Sequence, residues 1–178
     1  MLKKSLLIIA LTFILFSLTT ILKIDKSKKI TNKYANNFFQ SFYKKNDNSI
    51  GYIEINQINL KEKLYKINST DNNVDKNITI LKESILPPNK NDIIYIAAHS
   101  GTGPTAYFKN LNYLKKNDEI IIYLYNNKYT YIVKKIWNET KTGYIHITKD
   151  DNTSLILTTC NPHNEKLQLV LSCTKKES

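Results

Sequence analysis

Two side chains in this sequence carry the chemistry of a nucleophile and a proton carrier, and both stand in the same kind of place. His99 follows the apolar run Ile93-Ile-Tyr-Ile-Ala-Ala98 and opens the segment Ser100-Gly-Thr-Gly-Pro104. Cys160 follows Ser154-Leu-Ile-Leu-Thr-Thr159 and opens Asn161-Pro162. A strand end entering a loop is where a rigid scaffold presents a working side chain. A thiolate is the stronger nucleophile, and a nearby imidazolium favours it. Two reactive residue types in such similar settings therefore suggest a Cys–His pair at one rim of a β-barrel. Taken singly, each reads as a structural histidine or a small buried hydrophobe.

The remaining candidates rank lower. His163 lies three residues past Cys160, in a turn where a side chain faces solvent, and His146 sits in Tyr144-Ile-His-Ile-Thr148 as a strand-face residue. Ser100 and Thr159 flank the pair and are positioned to orient it, or simply fill a turn and a strand. Trp137, the one Trp, ends the second arm of a hairpin and reads as core in preference to a cover for a groove. Two Cys are too few for a four-Cys zinc site or a disulfide scaffold, and no acidic run has calcium-loop spacing, so no cofactor or metal is expected.

The elements that must hold the pair read mostly as strands. Residues 51–60 alternate apolar and polar side chains, which predicts a half-buried strand or hairpin arm. Residues 93–98 form a short continuous apolar run, suited to a strand buried on both faces. Residues 119–125 and 128–136 flank Asn126-Asn127, a credible tight turn because Asn tolerates positive φ. Residues 154–159 and 166–172 give another strand pair. The segment 104–114 predicts one or two helical turns with Phe108, Leu111 and Leu114 on one face. Seven or eight short strands with one or two short helices predict a mostly β fold, a closed β-barrel.

The amino end is different. Lys3 and Lys4 precede an uncharged apolar run, residues 5–22, that as a helix rises roughly 27 Å, enough for a bilayer core. An uncleaved anchor is preferred to a cleaved signal peptide, because no Ala-x-Ala-like site follows. This predicts a cytoplasmic tip at 1–4, a transmembrane anchor at 5–22, a partly helical stalk at 23–48 and a body at 49–178. Lysines on both sides of the span leave orientation undecided by charge. An outside body is preferred for the chemistry it would perform. The formal net charge is +11, yet all 26 basic residues are Lys. Without Arg forks for phosphates and guanine edges, nucleic acid is not the expected partner, and an anionic membrane or envelope suits the charge better.

The constellation resembles the bacterial sortases of Gram-positive cells. That family ends one strand with Thr-Leu-x-Thr-Cys and an upstream strand with an Ala/Gly-His segment. This chain has Ile156-Leu-Thr-Thr-Cys160 and Ala98-His99. Phe108-Lys-Asn-Leu111, with Lys116-Asn-Asp-Glu-Ile-Ile-Ile-Tyr123, is similar to the family's helix and Gly-Asp-x-Ile stretch, and Gly51-Tyr-Ile-Glu-Ile55 to its opening strand. The resemblance covers roughly residues 49–172. It implies a membrane-anchored, extracytoplasmic thiol transpeptidase with a sortase-like β-barrel. Cys160 would attack the Thr–Gly bond of an LPxTG-like C-terminal sorting signal on a protein substrate. His99 would protonate the leaving amine, and a cell-wall peptide amine or a pilin Lys would accept the acyl group.

One departure stands out. The family has an Arg on the strand after the Cys, and this chain has no Arg. Alignment puts Gln168 at that position, with Lys166 on the same strand face as a substitute charge. A Gln amide donates hydrogen bonds but brings no charge. The same alignment places Cys173 opposite Leu155, roughly 16 Å along the strand from Cys160, too far for a disulfide. Only 19 residues separate Ile136 from Ile156, where the family builds part of its signal pocket. Two rivals to transpeptidation follow: a barrel that has lost turnover and serves as a binding or assembly module, and a cysteine hydrolase.

Overall fold

The computed structural model describes residues 48–89, 91–147 and 152–177. The anchor and stalk expected at 5–22 and 23–48 fall outside them, save Asn48. Among the described residues no helix is long and apolar enough to cross a membrane.

Strand β1, Ser49–Ile55, runs into a 3₁₀ turn at Asn56–Ile58 and returns as β2, Leu60–Tyr65. The reversal needs a left-handed residue, and Asn59 supplies it at φ 52°. The alternating stretch 51–60 is thus a strand and its turn, not one strand. Gly51 lets β1 approach its other neighbour: a Cβ there would lie 1.7 Å from the Tyr123 carbonyl oxygen.

Short β3, Thr79–Ile80, precedes β4, Ile94–Ala97. Strand β4 buries one face fully, Ile94 and Ile96, and leaves Tyr95 and Ala97 half-buried, where the sequence suggested burial on both faces. Between β4 and β5, Phe108, Leu111 and Leu114 enter the core as expected. The helical content there is a single 3₁₀ turn, Leu111–Tyr113.

Strands β5, Glu119–Leu124, and β6, Asn127–Thr140, form the expected hairpin with its turn one residue earlier than Asn126-Asn127. Leu124 pairs with Asn127, and Tyr125 and Asn126 take the positive φ values, 49° and 68°. The alternation of β5 explains the shift, because Ile120, Ile122 and Leu124 must all face inward. Strands β7, Thr153–Cys160, and β8, Leu167–Lys175, complete the set.

All eight strands join one sheet in the order β2-β1-β5-β6-β8-β7-β4-β3. Its two end strands, β2 and β3, also touch, so the sheet curls into a nearly closed barrel. The inward side chains form one core that includes Ile53, Ile55, Ile94, Ile96, Ile120, Ile122, Leu155, Leu157, Leu169 and Leu171. Each such side chain contributes about 1.5–3 kcal/mol relative to exposure. This interior fixes the register of every strand, and so decides which residues face outward at the strand ends.

Candidate active site

The core faces of three adjacent strands determine the opposite faces. Ile94, Ile96 and Ala98, Leu155 and Leu157, and Leu169, Leu171 and Cys173 point into the barrel. By alternation His99, Cys160 and Gln168 point out. Strands β4 and β7 are parallel, with Ala97 opposite Thr158. The pairing extends past the end of β4: the Ala98 N–H donates to the Thr158 carbonyl at 3.4 Å, and the Thr159 hydroxyl donates to the Ala98 carbonyl at 2.8 Å. His99 is the next residue after this last tie, as Cys160 is the next after Thr159. On the other side of β7, Cys160 pairs directly with Gln168. Cys160 and Gln168 thus form a row across β7 and β8, and His99 follows two residues past the end of β4.

The row lies where a covered surface opens. Ile156, Val170 and Ser172, on the same outward face, are buried, whereas Cys160, Gln168 and His99 are half-buried. Cys160 is a free thiol. His99 Nε2 lies 3.2 Å from Asp75 Oδ1. A carboxylate only accepts, so the hydrogen of that bond sits on Nε2, leaving Nδ1 as the ring atom that exchanges a proton when the ring is neutral. The His99 backbone is tied as well, its carbonyl accepting from the N–H of buried Phe108 at 3.0 Å.

Beyond Gln168 the row continues to Glu139, its partner on β6. Gln168 Nε2 donates to Glu139 Oε1 and to the Tyr144 carbonyl, both at 3.0 Å. Both partners are acceptors, which fixes the amide orientation and commits both of its hydrogens. Glu139 Oε2 in turn accepts from the His146 backbone N–H at 3.3 Å and faces His146 Nδ1 at 3.1 Å. Burial raises the affinity of Glu139 for a proton. Hydrogen bonds from His146, Gln168 and Trp137 together outweigh it, so the carboxyl titrates below its ordinary value.

The other sequence candidates fall as follows. Lys166 is exposed in the turn before β8, which begins only at Leu167; strand alternation therefore does not aim it with Gln168. Thr159 points to the barrel side and spends its hydroxyl on Ala98, stitching β7 to the residue before His99. Ser100 is half-buried at the start of the loop after His99. His163 is exposed in the turn after Cys160, its N–H bound to Asn161 Oδ1 at 2.7 Å. His146 lies in an irregular segment, not on a strand, because Glu139 draws it back toward β6. Strand β6 runs on past Trp137, which is half-buried on the outward face opposite Val170 and is not part of the core. Cys173 is fully buried opposite Leu155, and burial pushes its thiol far above the usual range. Asp75 and Glu139 were not among the sequence candidates. Asp75 sits in an Asn-rich loop without periodicity; Glu139 becomes visible once β6 and β8 are paired.

The sortase-domain family model matches residues 53–176. No curated protein matches the chain. Among solved structures, sortase C of Streptococcus pneumoniae superposes with a TM-score of 0.64 at 22% identity, covering 74% of this chain and 70% of that one. A lid mutant of sortase A from Corynebacterium diphtheriae gives 0.62 at 24% identity, covering 73% and 71%. Sortase C of Clostridium perfringens, solved with the C-terminal cell wall sorting motif, gives 0.62 at 24% identity, covering 73% and 71%. At these identities the structures speak for the fold, and the family match speaks for descent.

Proposed function

The chain belongs to the sortase family, a family of cysteine transpeptidases, and from that premise we propose that it cleaves an LPxTG-like sorting signal and joins the acyl product to a cell-wall or pilin amine. In this reading the Cys160 thiolate attacks the carbonyl carbon of the scissile Thr–Gly bond. The tetrahedral oxyanion collapses, the C–N bond breaks, and the His99 imidazolium gives its proton to the leaving amine. The thioester on Cys160 is then attacked by the acceptor amine, whose proton returns to His99. Gln168 holds the place of the family's Arg. Its amide is committed to Glu139 and Tyr144, so it reaches an oxyanion only by releasing one of them. The reading includes a single-pass anchor at residues 5–22, with the barrel outside the cell where the signal and its acceptor meet.

The observation that supports this most is the pairing of Cys160 with Gln168, together with the Thr159 hydroxyl that binds the carbonyl of Ala98, the residue before His99. The test is incubation of the full-length chain with a library of LPxTG-like peptides and hydroxylamine. A hydroxamate product from the wild type, lost in Cys160→Ala, supports the reading; no hydroxamate from any member defeats it. Product analysis with and without an added amine separates transfer from hydrolysis. The absent Arg and the committed Gln168 amide favour one rival, a binding or assembly module without turnover. Retained affinity for a signal peptide with no acyl-enzyme would establish that rival.

A further inference from the structure

The loop 66–78 between β2 and β3 has no regular structure, yet it is densely pinned. The Asp71 N–H bonds Ser69 Oγ at 3.1 Å. The Asn72 side chain bonds the Ile67 and Ile80 carbonyls and accepts from the Ile80 N–H. The Asp75 N–H bonds Asn73 Oδ1 at 2.9 Å, and the Lys76 and Asn77 N–H groups both reach the Asn73 carbonyl. From the far side, the Tyr107 hydroxyl donates to the Lys76 carbonyl at 3.3 Å. Tyr107 precedes Phe108, whose N–H holds the His99 carbonyl. The turn carrying Asp75 and the backbone carrying His99 are therefore tied to the same short segment. Side-chain amides do here what a helix or strand would otherwise do.

We propose that Asp75 is a positioning residue for His99: its carboxylate accepts the Nε2–H, holds the ring in the tautomer that leaves Nδ1 to exchange the proton, and supports the imidazolium that forms during acyl transfer. This rests on the reading of Cys160 and His99 as the reactive pair. A base oriented by a third, acidic group is the general logic of nucleophile activation. The pair is open to water, with side-chain exposures of 42% for His99 and 79% for Asp75, so its effect is modest.

The experiment measures alkylation of Cys160 by iodoacetamide at pH 7 in the full-length chain, read by peptide mapping because Cys173 is buried. Four proteins form a cycle: wild type, Asp75→Asn, His99→Gln and the double variant. The proposal expects Asp75→Asn to slow alkylation by about 2- to 5-fold. It expects Asp75→Glu to restore most of the rate, and Asp75→Asn to add nothing in the His99→Gln background. With a turned-over peptide, Asp75→Asn lowers kcat and leaves KM unchanged. Equal slowing in both backgrounds would mean a structural role and overturn the proposal. So would an unchanged rate in Asp75→Asn beside a slowed His99→Gln. If His99→Gln itself leaves alkylation unchanged, the reactive pair is wrong and the proposal falls with it.

Discussion

Replacing Gln168 by Arg tests what the missing cation costs. Gln168 holds its amide hydrogens on Glu139 Oε1 and the Tyr144 carbonyl, each at 3.0 Å. To serve an oxyanion it must give up one, and the neutral bond to Tyr144 is the weaker, worth about 1 kcal/mol net. That alone takes back about fivefold of what a donor provides. A well-aimed donor is worth about 10²–10³ in rate. Arg brings five N–H groups. Glu139, its side chain 12% exposed and on the neighbouring strand, is placed to bind two of them side-on, leaving three. Gln168→Arg is therefore expected to raise kcat/KM by about fivefold or more, carried by kcat, with the melting temperature little changed. Gln168→Lys, a point charge without a fork, gains less. The assay is hydroxamate formation from a sorting-signal peptide at fixed hydroxylamine. A clear fall in Gln168→Arg, from a wild type with measurable turnover, would refute the reasoning and show a site built around the amide.

Other consequences are equally direct. Gly51→Ala sets a Cβ against the Tyr123 carbonyl and must push β1 off β5; it is expected to lower stability by about 3 kcal/mol or more, read by denaturant unfolding. Thr159→Val removes the hydroxyl that holds Ala98, costs about 1–2 kcal/mol, and lowers kcat by loosening the residue before His99. Glu139 titrates lower in the folded chain than in the unfolded one, so its contribution is complete above the ordinary value of 4.5 and is lost as pH falls through the folded value. The melting temperature should drop in that acid range, and Glu139→Gln should flatten the drop.

Much of the scaffold is legible from alternation alone. A hairpin of residues 154–159 and 166–172 in a register set by Cys160 and Gln168 predicts Cys173 opposite Leu155, and that pairing is found. The apolar run before His99 and the one before Cys160 correspond to two strands that lie side by side, which sequence order does not reveal. What alternation misses is irregular or very short. Strand β2 hides behind the turn at Asn59, and β3 has two residues. Lys166 looks like the start of a strand because the apolar pattern begins beside it, but the turn from Asn161 holds its backbone, with its N–H on Asn164 Oδ1. Asp75 reaches His99 through an asparagine-stitched loop whose hydrogen bonds leave no periodic trace. Glu139 faces Gln168 across a β6–β8 pairing fixed by core packing far from either residue.

The most direct test of the account is intact-mass and peptide-mapping analysis of the full-length chain mixed with sorting-signal peptides and no added amine. The account predicts a thioester adduct on Cys160 that hydroxylamine removes, with no adduct in Cys160→Ala and slowed formation in His99→Gln. An adduct on another residue, or no adduct from any peptide together with a Cys160 that resists a thiol-reactive probe, would contradict it.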